Sequence, residues 1–334
     1  MAGPSPIPLV EALSAYQKTE AMRAALALDL FSAIAQSEGS VPELAARCAA
    51  SERGIRILCD FLVIQGFLSK ADGRYALDPR SAPFLVKASR AYLGESVEFL
   101  LSPDIVGAVQ NLAGCVRQGR TTVSARGTME TQHPIWVKFA RVMGRLIGRS
   151  APFVAELVDP KADRPLEVLD IAAGHGLFGI AFALRNQRAR IAAQDWAPVL
   201  EVAHEHARQA GVVDRYRLVP GDAFEVDLGT GYDTVLLTNF LHHFDVPTCE
   251  RLLRRIAGGL NAGGRVVTVE FVPNEDRVTP PATAAFALMM LATTVAGDAY
   301  TFSEYQAMFR NSGFKHSTLH PVPESPHSVI LSTL

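Results

Sequence analysis

The chain has 334 residues, is 49% hydrophobic and 20% charged, and carries a formal net charge of −2. Those proportions suit a soluble globular protein of about two domains and lack the basic excess that a nucleic-acid surface needs. Cys48, Cys59, Cys115 and Cys249 are scattered without a CxxC pair, so neither a zinc site nor a disulfide framework is expected, and buried thiols in a reducing compartment are the simpler reading.

The N-terminal Met1, Ala2, Gly3 and Pro4 lack the basic start of a signal peptide. Residues 9–31 place Leu9, Val10, Leu13, Met22, Ala25, Leu26 and Leu30 at helical spacing. Their apolar side chains fall on several faces, which predicts a helix buried on more than one side. Ser40, Pro42 and Glu43 read as a helix start, with Ser40 as cap and Glu43 completing a capping box. A short helix over 43–50 should follow, then a second from Ser51 that stops at Gly66. Residues 67–70 and 74–77 flank Asp72-Gly73, the pattern of a β-hairpin. Residues 1–90 therefore read as a winged helix-turn-helix. A DNA-reading helix needs several Lys or Arg on its exposed face. The one over 51–65 sets Arg53 and Arg56 against Glu52 and Asp60, so a dimerisation module with no nucleic-acid partner is expected, and DNA binding is the second reading.

A helical linker is expected over 91–158. Within it Pro134 opens a helix whose Trp136, Phe139 and Met143 share one face. That face reads either as core or as the roof of an aromatic acceptor pocket. From residue 159 onward strands and helices alternate, with strands over 166–171, 190–195, 216–220, 234–239 and 265–271, and helices over 177–185, 198–210, 247–258 and 302–312. Such alternation implies a parallel doubly wound α/β sheet. The tail breaks the rhythm: 314–321 and 328–334 read as two strands with only a turn between them. The apolar stretch over 284–296 is too short to span a bilayer, which needs about 20 residues, so a cytoplasmic protein without a membrane partner is expected.

The first strand of the alternating part ends on Asp170, then breaks into Gly174, His175 and Gly176. This is where an open α/β sheet binds a nucleotide. Gly174-x-Gly176-x-x-Gly179 also fits the dinucleotide fingerprint, so the context decides. Asp170 before the turn suits a cationic ligand, such as the ammonium and sulfonium end of S-adenosylmethionine. Asp195 ends the next strand, where ribose hydroxyls need an acceptor. Asp222, Ala223 and Phe224 follow the third, where a carboxylate and an aromatic ring can hold adenine. Asn239, at the end of the fourth strand, joins this set. Any one acid could equally cap the helix after it; three at successive strand ends favour the methyl donor over NAD. A terminal hairpin on a parallel sheet is likewise the arrangement of class I methyltransferases.

In order along the chain, these residues resemble the two-domain S-adenosylmethionine-dependent O-methyltransferases with an N-terminal dimerisation domain, a group that includes caffeic acid-type and hydroxyindole enzymes and bacterial biosynthetic ones. The likeness covers nearly the whole length. Residues 25–31 are similar to the family's first dimerisation helix, 168–176 to its donor motif with Ala172 in place of a glycine, Asp195 and Trp196 to its ribose motif, with Trp196 available to adenine, and 221–224 to its adenine-side motif. Leu241, His242, His243 and Phe244 resemble its catalytic histidine motif, though the family usually has aspartate and tryptophan where His243 and Phe244 stand. Glu270 matches the first of two acids that flank the histidine in plant enzymes; the second falls at Ala299.

The resemblance implies a homodimer that methylates a small aromatic hydroxyl, with His242 as general base and Glu270 as its orienting partner. Trp136, Phe139, Met143, His243, Phe286, Met289, Met290 and Tyr300 are the expected acceptor pocket, and no metal is expected. Two further readings stay open. The adjacent His242 and His243 suit a carbon methyltransferase, with or without a recruited metal, and the winged helix suits a non-catalytic regulator.

Overall fold

The apolar positions of the first hundred residues gather into short helices around one hairpin. In the computed structural model, which describes residues 3–334, the chain divides into two units, the first ending at Val97 and the second spanning Glu98–Leu334. In the first unit the continuous helix expected over 9–31 is three pieces, Ile7–Ser14, Tyr16–Ala27 and Leu30–Ala35. The Ser14 hydroxyl donates back to the Val10 carbonyl at 2.7 Å, a competing bond that loosens a helix, and Asp29 takes a left-handed φ of +52° that ends the second piece. The expectation that this segment is buried on several sides fails for the single chain. Leu9 is 63% and Leu13 70% exposed, and the first helix buries no residue.

Val41–Arg47 starts at Ser40, but the expected capping box does not form. The Ser40 side chain makes no cap bond, and Glu43 Oε2 accepts instead from the Glu38 N–H at 3.1 Å. Ser51 does cap Glu52–Ile64, accepting the Gly54 N–H. Strands β1 (Leu68–Ala71) and β2 (Arg74–Leu77) pair antiparallel through Asp72 at φ +50° and Gly73 at +75°, the geometry an Asp-Gly hairpin favours. Leu30, Phe31, Leu44, Ile55, Cys59 and Leu62 form the core of this unit.

The second unit opens with short helices, among them Pro103–Gln110, Ile135–Val142 and Ala151–Val158, and then builds its sheet from β3 (Leu166–Ile171), β4 (Ala189–Asp195), β5 (Tyr216–Pro220), β6 (Tyr232–Thr238), β7 (Leu260–Glu270), β8 (His316–Pro321) and β9 (Ser328–Thr333). The order is β5-β4-β3-β6-β7-β9-β8. β3 to β7 run parallel, and β9 pairs antiparallel with both β7 and β8. The two apolar faces of the sheet are covered, one by Phe178, Phe182 and Leu200, the other by Leu252, Leu253, Tyr305 and Phe309. β7 starts five residues before its expected start because Leu260 already pairs with Tyr232. Within the apolar stretch over 284–296 lies the helix Phe286–Thr293, preceded by the short helix Pro281–Ala284, and the Thr293 and Thr294 hydroxyls close it by donating to the Met289 and Met290 carbonyls.

Strand order reverses at β3, whose neighbours are β4 and β6. Ligands of open α/β sheets bind beyond the carboxyl ends of the strands at such a point. Asp170, Asp195, Thr238 and Glu270 stand at or near those ends.

Candidate active site

The turn after β3 is held by glycines for specific reasons. Gly176 has φ +74°, and a Cβ there would come within 2.6 Å of Tyr216 Oη and 2.9 Å of Ala203 Cβ. Ala172 occupies φ +52° without being glycine, a conformation that costs an L-residue about 1–2 kcal/mol.

Each strand-end acid accepts a backbone N–H. Asp170 is fully buried; its Oδ2 accepts from Gly179 at 3.1 Å, and its Oδ1 has no partner among the described residues. Burial, reinforced by the charge of Asp195, pushes this carboxyl up to about 8. Asp195 ties the glycine turn to β4, accepting from Gly174 at 2.9 Å and from Trp196 at 2.7 Å, and burial pushes it up to about 6. Asp222 accepts from the Phe224 N–H at 2.8 Å, and its own carbonyl holds the next two N–H groups. Capping is thus part of what these acids do, as one carboxylate can cap and still leave lone pairs for a ligand. Asn239 sits at φ +53°, and its buried Oδ1 has no partner among the described residues. Trp196, like Trp136 and Val137, packs against the cluster of Ala140, Val199 and Val202, the Ala223 carbonyl accepts from Arg255, and Arg251 lies 5.4 Å over the Phe224 ring. Unpaired oxygens on Asp170 and Asn239 beside a glycine turn fit a ligand that brings cationic and hydroxyl donors.

The second half of the site is the turn Leu241–His243 beyond β6. His242 is buried, and its Nδ1 lies 2.5 Å from Oε2 of Glu270, a residue with no exposed surface at the end of β7. Glu270 Oε1 accepts the Phe240 N–H at 3.0 Å and the His242 N–H at 3.4 Å. Burial opposes charge on both partners. It holds His242 below the usual histidine range and raises Glu270, while the backbone N–H groups act to keep the carboxylate ionised. With the proton on Nδ1 facing the carboxylate, Nε2 carries the free lone pair. The helix that follows is capped by Asp245, which accepts from Thr248, so His242 is not its cap. Ala299, which the resemblance matches to a second acid, is buried, and Asp298 beside it pairs with Arg277 at 3.2 Å.

The two histidines do not diverge as residues leaving a strand would. They lie in a 3₁₀ turn with ring centroids 4.2 Å apart. What separates them is their partners. His243 Nδ1 is buried with no hydrogen bond among the described residues, and its ring meets Trp136 edge-on at 5.2 Å.

Of the expected pocket residues, ring contacts join Trp136, Phe139 and His243, and through His242 also Phe286. Trp136 and Phe139 lie 5.8 Å apart, and Phe286 meets His242 at 4.8 Å. Met143 and Met290 are buried in the protein interior, whereas Met289 is partly exposed. Tyr300 belongs to the core, with its hydroxyl donating to the Phe244 carbonyl at 2.6 Å. Two residues not singled out from sequence extend the ring chain. Phe271 stacks on Phe286 at 3.9 Å, and His327 meets Phe271 at 4.2 Å. Phe271 directly follows Glu270, a signal that could have been used; His327 is brought in by the register that pairs Ser328 with Glu270, which no local motif announces.

Comparison with known proteins gives the family. Residues 148–315 match the family model of an O-methyltransferase domain, and residues 10–87 match an O-methyltransferase dimerisation domain. A structure of a candidate O-methyltransferase from Nostoc punctiforme is 50% identical, with a TM-score of 0.97, covering 99% of this chain and 100% of that one. PigF solved with SAH is 26% identical, with a TM-score of 0.85, covering 99% of this chain and 100% of its own. The 3-hydroxy-5-methyl-1-naphthoate 3-O-methyltransferase of Streptomyces sahachiroi is 26% identical over 92% of this chain and 89% of its own length.

Proposed function

The chain belongs to the O-methyltransferases that carry a dimerisation domain, and on that premise we propose that it methylates the hydroxyl of a small aromatic acceptor with His242 as general base. The reaction class is S-adenosylmethionine-dependent O-methylation of the secondary-metabolite type. The observation that carries the assignment of the base is the buried His242–Glu270 pair at the carboxyl end of the sheet.

In this reading Asp170, Gly174, Gly176, Asp195, Trp196, Asp222, Ala223, Phe224 and Asn239 hold the donor. Bound there, its sulfonium supplies an already activated methyl carbon. The protein therefore contributes mainly alignment, bringing hydroxyl and methyl into one line. A phenol, with a pKa near ~10, still has to lose its proton. Glu270 keeps the His242 proton on Nδ1, and Nε2 accepts the one from the acceptor. Trp136, Phe139 and Phe286 present flat apolar faces that suit an aromatic ring and exclude water.

The first unit is read as a winged-helix dimerisation module. Its exposed Ile7, Leu9, Val10 and Leu13 form an apolar face that a single soluble chain would seldom leave uncovered, so we assign a homodimer. Four buried free cysteines suit a reducing, cytoplasmic setting, and no helix among the described residues is long and apolar enough to cross a membrane. The test is methyl transfer from labelled S-adenosylmethionine to a panel of hydroxyarenes. Label on the acceptor oxygen supports the proposal; donor binding with no transfer to any hydroxyl contradicts it.

A further inference from the structure

His243 is not needed by the chemistry described so far, yet it sits in the middle of it. Its ring is 4.2 Å from that of His242 and edge-on to Trp136. Phe139 and Phe286 supply the apolar remainder of this wall. Nδ1 of His243 is sealed without a partner among the described residues. A buried N–H left unpaired is rarer than a buried unpaired acceptor, so the favoured tautomer carries its proton on Nε2. His242 has the opposite tautomer, because Glu270 takes its Nδ1 proton. The two adjacent imidazoles therefore offer unlike functions: a lone pair on His242 and an N–H donor on His243.

From this complementarity, and resting on the reading of His242 as base, we propose that the acceptor is an aromatic hydroxyl flanked by a carbonyl or carboxylate oxygen, and that His243 is the residue that selects it by donating to that oxygen. In such a molecule the hydroxyl proton is bonded internally to the neighbouring oxygen, which makes it a poor substrate for a base acting alone. Donation from His243 to the carbonyl oxygen replaces that internal bond. The freed proton passes to His242 Nε2, and the hydroxyl oxygen takes the methyl, the bonding pair staying on the donor's sulfur. A site built to hydrogen-bond one substrate group discriminates against analogues that lack it, because its own polar group is then left unpaired.

The experiment compares 2-, 3- and 4-hydroxyacetophenone as acceptors for the full-length protein and for His243→Phe and His243→Gln. The wild-type protein is expected to favour the 2-hydroxy isomer by about tenfold or more in kcat/KM. His243→Phe should erase the preference, chiefly through KM for that isomer, and His243→Gln, which keeps an N–H donor, should retain part of it. An unchanged affinity for S-adenosylhomocysteine in both variants marks them as folded. Methylation of all three isomers without preference, or a preference that survives in His243→Phe, overturns this inference and leaves the O-methylation reading standing. No methylation of any isomer by a donor-binding protein overturns both.

Discussion

Glu270→Gln probes the site through a single atom exchange. The side chain keeps its shape, and its amide oxygen can still accept the Phe240 and His242 N–H groups that now reach Oε1. The other position changes from an acceptor to an NH₂ donor facing His242 Nδ1, where the carboxylate oxygen stood at 2.5 Å. Two donors cannot share that bond, so the imidazole moves its proton to Nε2 and presents an N–H, not a lone pair, to the acceptor. The base is then absent without a residue having been removed. Loss of a general base lowers rates by about 10²–10⁴, or about 3–5 kcal/mol in barrier. Global stability should change little, since the substitution also removes a charge that is costly to bury. The assay is kcat for a phenol acceptor beside calorimetric affinity for S-adenosylhomocysteine and the thermal midpoint. A kcat within threefold of wild type, with folding and donor affinity kept, would refute the tautomer argument.

The same geometry yields further expected outcomes. Asp195→Ala removes the acid proposed to hold the donor's ribose and should weaken donor binding by roughly 1–3 kcal/mol; unchanged affinity by calorimetry would displace the donor from this strand end. Asp170 has its folded pKa raised to about 8 by burial, so the unfolded chain releases this proton first and ligand-free stability falls as pH rises between about 4 and 8. Asp170→Asn should therefore raise the thermal midpoint at pH 8 more than at pH 5 while weakening donor binding, and an equal shift at both pH values contradicts this. Leu13→Glu, on the exposed face of the first helix, should convert a dimer into monomer in sedimentation at micromolar concentration; a wild-type monomer would count against the homodimer.

Much of this was legible from local pattern. Apolar runs ending on Asp170 and Asp195 announced both the strands and their carboxyl ends, because in a parallel sheet buried on both faces the run ends where the polar rim begins. β3, β5 and the helix Leu177–Arg185 fall where the spacing placed them. What local pattern could not give are features set by contacts distant in sequence. The early start of β7 depends on Tyr232, and the side-by-side histidines depend on a 3₁₀ turn in place of a continued strand. The place of His327 depends on the hairpin register. The failed capping box at Ser40 shows a motif that is present in residues but outcompeted, since the Glu38 N–H claims Glu43 first. Tyr300, expected in the acceptor pocket, lies in a core cluster, where its hydroxyl donates to the Phe244 carbonyl.

The most direct test of the central claim compares His242→Ala with His243→Ala on a phenol that has no neighbouring oxygen, across pH and with donor affinity measured in parallel. The account predicts that His242→Ala loses about 10²–10⁴ in turnover with donor affinity nearly unchanged, that turnover partly recovers at high pH as the phenolate forms unaided, and that His243→Ala is milder. Equal losses in both variants, together with activity abolished by a chelator, would contradict it and point to metal-assisted carbon methylation.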